Sequence, residues 1–360
     1  MSAAASSSGL GSASTCAAVD AGAATPRRIG PFSVFPIGLG CMNFSHAYGA
    51  PPPPEQAERV LLAALEAGVT LFDTAALYGF GVNETLVGRV LKAHRSRIVL
   101  CSKGGMAGVT FPDGSIKRVI DGRPEAIRRD CEASLARLGT DVIDLYYLHR
   151  FDKLRPAPIE DSVGEMARLK AEGKIRALGL SEVSAATLRR AHAVHPIAAV
   201  QNEYSLWTRN AEIGVLAACR ELGAAFVAFS PVARGYLTAR PPDVATLDAK
   251  DIRRTMPRFI DPAHWAANLK LREGLVALAA EAGCTPAQLA LAWLLAQGDH
   301  VIPIPGTTRL DHLADDLGAA RIALSPAVIE RAGALINQQT VAGPRYGAQA
   351  TSEVDTENFA

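Results

Sequence analysis

The chain has 360 residues, 49% of them hydrophobic, with 37 Lys+Arg against 36 Asp+Glu and a formal net charge of +1. That is enough apolar side chain for a sizeable core, and the near-zero charge excludes both a charged disordered protein and a nucleic-acid binder held by bulk positive charge. No run of 18 apolar residues occurs, since the richest window, 289–295, soon meets Gln297, Gly298, Asp299 and His300, so no membrane span is expected.

Residues 1–24 are almost entirely Ala, Ser and Gly, with Asp20 the only charged side chain, no basic start and no sustained apolar run. This composition reads as a disordered leader rather than a secretory signal, and the leader is drawn to residue 27, followed by one barrel domain at 28–338 and a C-terminal tail at 339–360. The six cysteines, Cys16, Cys41, Cys101, Cys131, Cys219 and Cys284, form no C-x-x-C pair. They read as reduced thiols of a cytoplasmic protein.

From residue 28 a small hairpin over 28–35 is expected to close one end of the domain. Short β-branched or apolar runs then alternate with longer stretches of helical period. In chain order the strands fall at 37–40, 70–73, 98–102, 142–148, 175–180, 199–201, 225–229 and 301–304. Between them lie helices at 55–67, 83–93, 124–138, 159–172, 185–193 and 211–222, then a long helical region at 266–297 broken at Gly283 and Pro286. Gly68, Gly139, Gly173 and Gly223 each follow the last periodic residue of a helix. Helices at 309–319 and 326–338 complete the pattern. Eight strand-helix units predict an α/β fold, a (β/α)8 TIM barrel with extra loops and C-terminal helices. The Pro-rich segment 232–265 follows the seventh strand and carries Arg234, Arg240, Arg253, Arg254 and Arg258. Its length and charge predict a mobile lid on the face where barrel active sites lie.

Gly38-Leu39-Gly40-Cys41-Met42-Asn43 approaches a dinucleotide fingerprint, but Asn43 replaces the third Gly and no suitably spaced acidic residue follows. It reads instead as a tight turn leaving the first barrel strand. Neither G-x-x-x-x-G-K-[ST], H-E-x-x-H nor G-x-S-x-G occurs. His192 and His195 lack a third metal ligand at suitable spacing.

The informative feature is a set of polar residues at successive strand ends: Asp73, then Tyr78 just beyond, Lys103 and His149. An ammonium beside a phenol stabilises the phenolate and lowers its pKa, a carboxylate keeps the ammonium charged and oriented, and an imidazole can donate to a substrate oxygen. Four such groups together point to proton transfer at an oxygen.

These residues, in this order and context, resemble the catalytic tetrad of the aldo-keto reductase family, and the resemblance runs from about residue 29 to 336. Arg150 after His149 is similar to the bacterial-type and potassium-channel β-subunit-like branches. The resemblance implies NADPH (NADP) as cofactor. It places Ser181, Glu182 and Gln201 on the nicotinamide carboxamide, with Glu182 where the family commonly has Asn, and it stacks Tyr204 on the nicotinamide ring. Ser230, Pro231, Arg234, Gly235 and Leu237 match the loop around the pyrophosphate. Pro305, Gly306, Thr307, Arg309, His312, Asp315 and Asp316 match the adenosine end, with Thr308 where Lys is common and Asp316 where Asn is common. Met42, Asn43, Phe44, Tyr48 and Trp207 are expected to wall the substrate pocket, while Trp265 and Trp293 read as packing. The implied activity is reduction of a small-molecule aldehyde or ketone, with Tyr78 as proton donor, no metal, and neither nucleic acid nor membrane as partner. The alternative is a cofactor-binding regulatory subunit similar to those of potassium channels.

Overall fold

The computed structural model describes residues 24–153 and 157–359. Most of the expected leader, with Cys16, lies outside these residues. Arg27, assigned to the leader, opens strand β1 (Arg27–Ile29), and its guanidinium donates to the carbonyls of Leu295 and Gly298 at 2.6 and 2.7 Å. β1 pairs antiparallel with β2 (Phe32–Val34).

The eight expected barrel strands are all present: β3 (Leu39–Gly40), β4 (Leu71–Asp73), β5 (Val99–Gly104), β8 (Ile143–Leu148), β9 (Ile175–Ser181), β10 (Ala199–Glu203), β11 (Ala225–Phe229) and β12 (Val301–Pro303). They pair in parallel in the order β12-β11-β10-β9-β8-β5-β4-β3. The sheet closes through backbone bonds from Gly38 N to Pro303 O and from Gly40 N to Pro305 O, both 3.0 Å. The two glycines permit that closure, because a Cβ at Gly38 or Gly40 would stand 2.9 Å from atoms of Ile304. The G-L-G sequence therefore belongs to the strand at the barrel seam, and the expected turn follows it at Met42–Phe44.

A hairpin that the sequence pattern does not predict, β6 (Met106–Thr110) and β7 (Ile116–Ile120), rises from the end of β5. Its tip is Phe111-Pro112-Asp113-Gly114-Ser115, with Asp113 accepting from Ser115 and Gly114 at φ 79°. Proline, aspartate and glycine in that order are turn residues, and this was the available signal.

The helices that return the chain between strands are α1 (Pro54–Glu66), α2 (Val82–Leu91), α3 (Pro124–Leu138), α4 (Ile159–Ala171), α5 (Ala185–Val194) and α6 (Val215–Leu222). After β11 come α7 (Pro257–Ile260), α8 (Pro262–Glu281) and α9 (Pro286–Leu295), and after β12 come α10 (Leu310–Gly318), α11 (Pro326–Leu335) and α12 (Ala348–Ser352). Thr285 opens α9 with a capping box to Gln288, where the sequence placed the break. No single helix among the described residues is long and apolar enough to cross a membrane.

Two apolar layers result. The inner one fills the barrel with Leu71, Val99, Cys101, Leu145, Tyr147, Ala177, Ala199, Ala225, Val227 and Ile302, and Ile29 and Val34 of the β1–β2 hairpin plug its lower end as expected. The outer layer lies between strands and helices and includes Phe72, Leu100, Tyr146, Leu178, Val200 and Phe226. Inner residues alternate with outer ones along each strand, the period-2 consequence of the pleat. That parity decides which side chains reach the barrel mouth.

Candidate active site

Continuing the inward register of each strand to its C-terminal end gives Asp73 on β4, Lys103 on β5, His149 just past β8, Ser181 on β9, Gln201 and Glu203 on β10, and Phe229 on β11. The fold therefore gathers the expected Asp, Lys and His as the top rung above the inner core. Tyr78 joins them from the loop after β4, where Gly79 and Phe80 take positive φ (58° and 52°) to turn the chain sharply.

Lys103 is fully buried. Its Nζ donates to Asp73 Oδ1, to the carbonyl of Thr74 at 3.0 Å and to the Tyr78 hydroxyl at 3.1 Å. Asp73 is fixed from across the barrel by Gln201 Nε2 at 2.8 Å. That bond occupies a Gln201 donor expected to serve a carboxamide. Burial alone would discharge Lys103, but Asp73 and Tyr78 outweigh it and its pKa lies above the ordinary 10.5. Burial lifts the Tyr78 phenol above its usual 10, with Lys103 opposing that rise. Tyr78 thus stands protonated at neutral pH, beside a cation that stabilises its conjugate base.

The His149 ring meets the Tyr78 ring edge-on at 5.9 Å, and its Nδ1 is buried with no hydrogen-bond partner. Burial, reinforced by Lys103 and Arg150, holds the imidazole well below its ordinary 6.5, so it is neutral at pH 7. A neutral imidazole beside a phenol can donate one N–H to an incoming oxygen. Arg150 donates to the carbonyl of His149 at 2.9 Å and lies 3.5 Å from Ser181 Oγ. Met42, Met106 and Ile120 pack around Tyr78 as an apolar wall, two of them from the unforeseen hairpin and its root. His46 stacks on the other side of Tyr78 at 5.9 Å.

Several expected positions serve other purposes. Tyr204 is wholly buried against Phe226 and Trp293, and its hydroxyl donates to Glu212 at 2.7 Å. It cannot stack on a ring bound at the mouth, because one residue beyond Glu203 the pleat turns it outward beneath the helices. The aromatic residue on the inward register is Phe229. Trp207 is 2% exposed and stacks on Tyr236 at 4.1 Å, with Phe259 edge-on at 5.2 Å. It anchors the 232–265 segment rather than lining a pocket. That segment is pinned further by Ile252 N on the Ala47 carbonyl at 2.8 Å and by Arg258 on the carbonyls of Trp207 and Gly343, while Arg253 on Asp251 and the Arg234 carbonyl holds it together internally. Movement of the segment would have to break the contacts with Ala47, Trp207 and Gly343. Its second half is helical from Pro257, earlier than expected, because Pro at the first helical position follows Met256 and Asp261.

Asn43 donates to the Gly306 carbonyl at 3.0 Å, so it ties the loop after β3 to the loop after β12. Tyr48 lies under the Arg253 guanidinium at 5.2 Å, and Phe44 is 3% exposed in the outer core. At the far end of the mouth, Pro305 is buried, Thr307 Oγ1 accepts from Arg309 N at 3.1 Å, and Arg309 pairs with Asp311. Helix α10 begins there with no side-chain cap, leaving its first-turn N–H groups as anion donors. Asp315 accepts from the Thr285 hydroxyl of α9, and Asp316 is buried with its carboxyl pushed up by desolvation. His312 is exposed.

The charges missed by sequence reading come from the C-terminus. Residues 341–358 are not a loose tail but a strap across the mouth. Val354 O accepts from Lys153, Asp355 accepts from Ser184 N, Glu357 from Ala185 N, and Glu353 pairs with Arg118 of the hairpin. Arg345 enters a buried cluster with Glu182, Glu203 and Arg234. Arg234, expected to face a phosphate, gives both terminal nitrogens to Glu203 at 2.5 and 2.8 Å. Leu237 is fully buried, so that loop offers backbone there.

The residues present fit a dinucleotide laid across the mouth: Ser181 and a ring face at Phe229, the left-handed turn at Ser230 and Ala233–Gly235, and the open helix end at Arg309. Residues 36–337 match the Aldo/keto reductase family. A protein of Glycine max named probable aldo-keto reductase 1 is 42% identical over 316 residues, covering 88% of this chain and 89% of its own. Among solved structures, a glycerol dehydrogenase from Gluconobacter oxydans superposes with a TM-score of 0.80 at 28% identity, over 89% of this chain and 98% of that one. An aldo/keto reductase from Klebsiella pneumoniae in complex with NADP and acetate gives 0.66 at 27%, over the same shares. With the tetrad assembled at the mouth of the barrel and the match spanning most of its length, the chain belongs to the aldo/keto reductase family of NAD(P)H-dependent oxidoreductases.

Proposed function

We propose that the protein reduces an aldehyde or ketone with NADPH, Tyr78 giving the proton. The observation that carries this reading is the buried Lys103 ammonium, bonded at once to Asp73 and to the Tyr78 hydroxyl. When bound, NADPH supplies a hydride to the carbonyl carbon. The Tyr78 O–H bond breaks as its proton passes to the carbonyl oxygen, and the phenolate left behind is held by Lys103 until water returns a proton. Asp73, Gln201 and the Thr74 carbonyl keep the ammonium in place, so little reorganisation accompanies the transfer. Neutral His149 orients the oxygen, and Met42, Met106 and Ile120 hold the phenol ring in place from the side.

A panel of aldehydes and ketones, followed by NADPH consumption, tests this. Turnover of at least one of them is expected; NADPH bound without turnover of any would turn the assignment toward the regulatory-subunit reading.

Because His149 is neutral and Tyr78 protonated, kcat/KM for reduction should be flat from about pH 6 to 8 and fall only in alkali. A fall centred near the ordinary histidine value would remove the neutral imidazole from the scheme.

Arg309 discriminates NADPH from NADH in this reading. Its pair with Asp311 is exposed at both ends, so it gains little in water and yields readily to a doubly charged 2′-phosphate, which a planar guanidinium can grip bidentately. The parent should bind NADPH about tenfold more tightly than NADH, and Arg309→Ala should bring the ratio close to about one. An unchanged ratio would take Arg309 off the phosphate.

A further inference from the structure

Position 182 is occupied by a carboxylate that can only accept hydrogen bonds. Glu182 is fully buried, holds φ at 55° at the end of β9, and accepts from Glu203 N at 3.1 Å. Its two oxygens take Arg345 Nη2 at 2.8 and 2.7 Å. A side chain so placed and so paired cannot donate to a carbonyl oxygen, as an amide at this position would. The donor it brings with it can.

Arg345 comes from the C-terminal strap and is 11% exposed in its side chain. Nε is bonded to Glu203 Oε2, and Nη2 to Glu182 and to the Tyr346 hydroxyl at 3.1 Å. Nη1 has no partner among the described residues. The guanidinium carbon stands 5.8 Å from the centre of the Phe229 ring, the inward aromatic side chain at the end of β11. The guanidinium is thus tied to Glu182, the residue after Ser181 at the end of β9, while its carbon stands over the ring on β11. Glu203, shared with Arg234, fixes the guanidinium from beneath, and the four charges cancel. The cluster is thus a cation locked in orientation with one edge open, rather than a simple closed ion pair.

The geometry points to Arg345 as the group that donates to the carboxamide oxygen of the nicotinamide, so that the C-terminal strap completes the cofactor site. This rests on the NADPH-dependent reading above. It also gives Glu182 a role: it positions Arg345 and touches no ligand. Loss of Arg345 should be felt at the nicotinamide end and nowhere else along the dinucleotide.

The test compares two ligands by direct binding to full-length protein, NADPH and adenosine 2′,5′-bisphosphate, which lacks the nicotinamide. Arg345→Met should weaken NADPH about tenfold and leave the bisphosphate within about twofold. Unchanged NADPH binding overturns the assignment. Equal weakening of both ligands also overturns it, since that is what a strap anchor without a cofactor contact would produce. A measurement on the parent protein guards against a variant that fails to fold. The thionicotinamide analogue of NADP replaces the accepting oxygen by sulfur, a weaker acceptor, and should bind at least about threefold more weakly than NADP. Equal affinity would sink the proposal. Should the parent bind neither NADPH nor NADH, it is the cofactor reading that fails, a result distinguishable from any of these.

Discussion

Tyr78→Phe is expected to lower kcat for carbonyl reduction by at least about 10²-fold while leaving NADPH affinity within a factor of about two. Among the described residues the hydroxyl is the one proton-bearing group bonded to the Lys103 ammonium, and its removal takes away the acid without changing the ring. The ring itself packs against Ala75, Leu77, Met42 and Met106 and stacks beside His46, so phenylalanine retains the apolar contacts. Lys103 keeps Asp73 and Thr74 as partners, and no buried charge is left alone. The melting temperature should therefore hold while turnover collapses. Stopped-flow measurement of hydride transfer separates this from slow product release. Near-normal single-turnover rates in the variant would mean that another group protonates the oxygen.

The tetrad was legible because its signal is local: each member sits at the end of a short apolar run, and in a parallel barrel every such end points to one face. The same parity rule excludes Tyr204. Once Gln201 is inward, Glu203 is inward and Tyr204 is not, and Phe229 follows Val227 on the inner face. A motif match alone does not carry that parity; the count along the strand does. The β6–β7 hairpin was legible in its Pro-Asp-Gly tip, although its placement over Tyr78 was not. The strap is a different case. Arg345 reaches Glu182 and Glu203 across 163 and 142 residues of chain, and nothing near Arg345 in sequence distinguishes it from a solvated arginine. Long-range ion pairs leave no local period. In the 232–265 segment, likewise, arginines whose partners sequence does not show are used on backbone carbonyls and Asp251.

Lys103→Met should cost activity and stability together, with signs that can be predicted separately. The ammonium stabilises the phenolate that forms when Tyr78 gives up its proton, so its loss should lower kcat by at least about 10²-fold. Because Lys103 depresses the Tyr78 pKa against the effect of burial, removing it lets the phenol rise further, and the alkaline fall of any residual activity should move to higher pH. A fall that moved lower would contradict the coupling. For stability, Lys103 has its pKa raised by the fold; the stabilisation it gives is complete below its unfolded value near about 10.4 and disappears only as pH climbs through the folded value. At neutral pH the variant therefore shows the whole loss: Asp73 is left buried with Gln201 as its remaining side-chain donor, a cost of about 3–5 kcal/mol. Asp73→Asn combined with Lys103→Met removes the stranded charge and should recover part of that stability while restoring none of the activity. Denaturant melts of the single and double variants beside their pH-rate profiles decide the matter. A double variant no more stable than Lys103→Met would mean that the stability lost in the single variant does not come from a stranded carboxylate at Asp73.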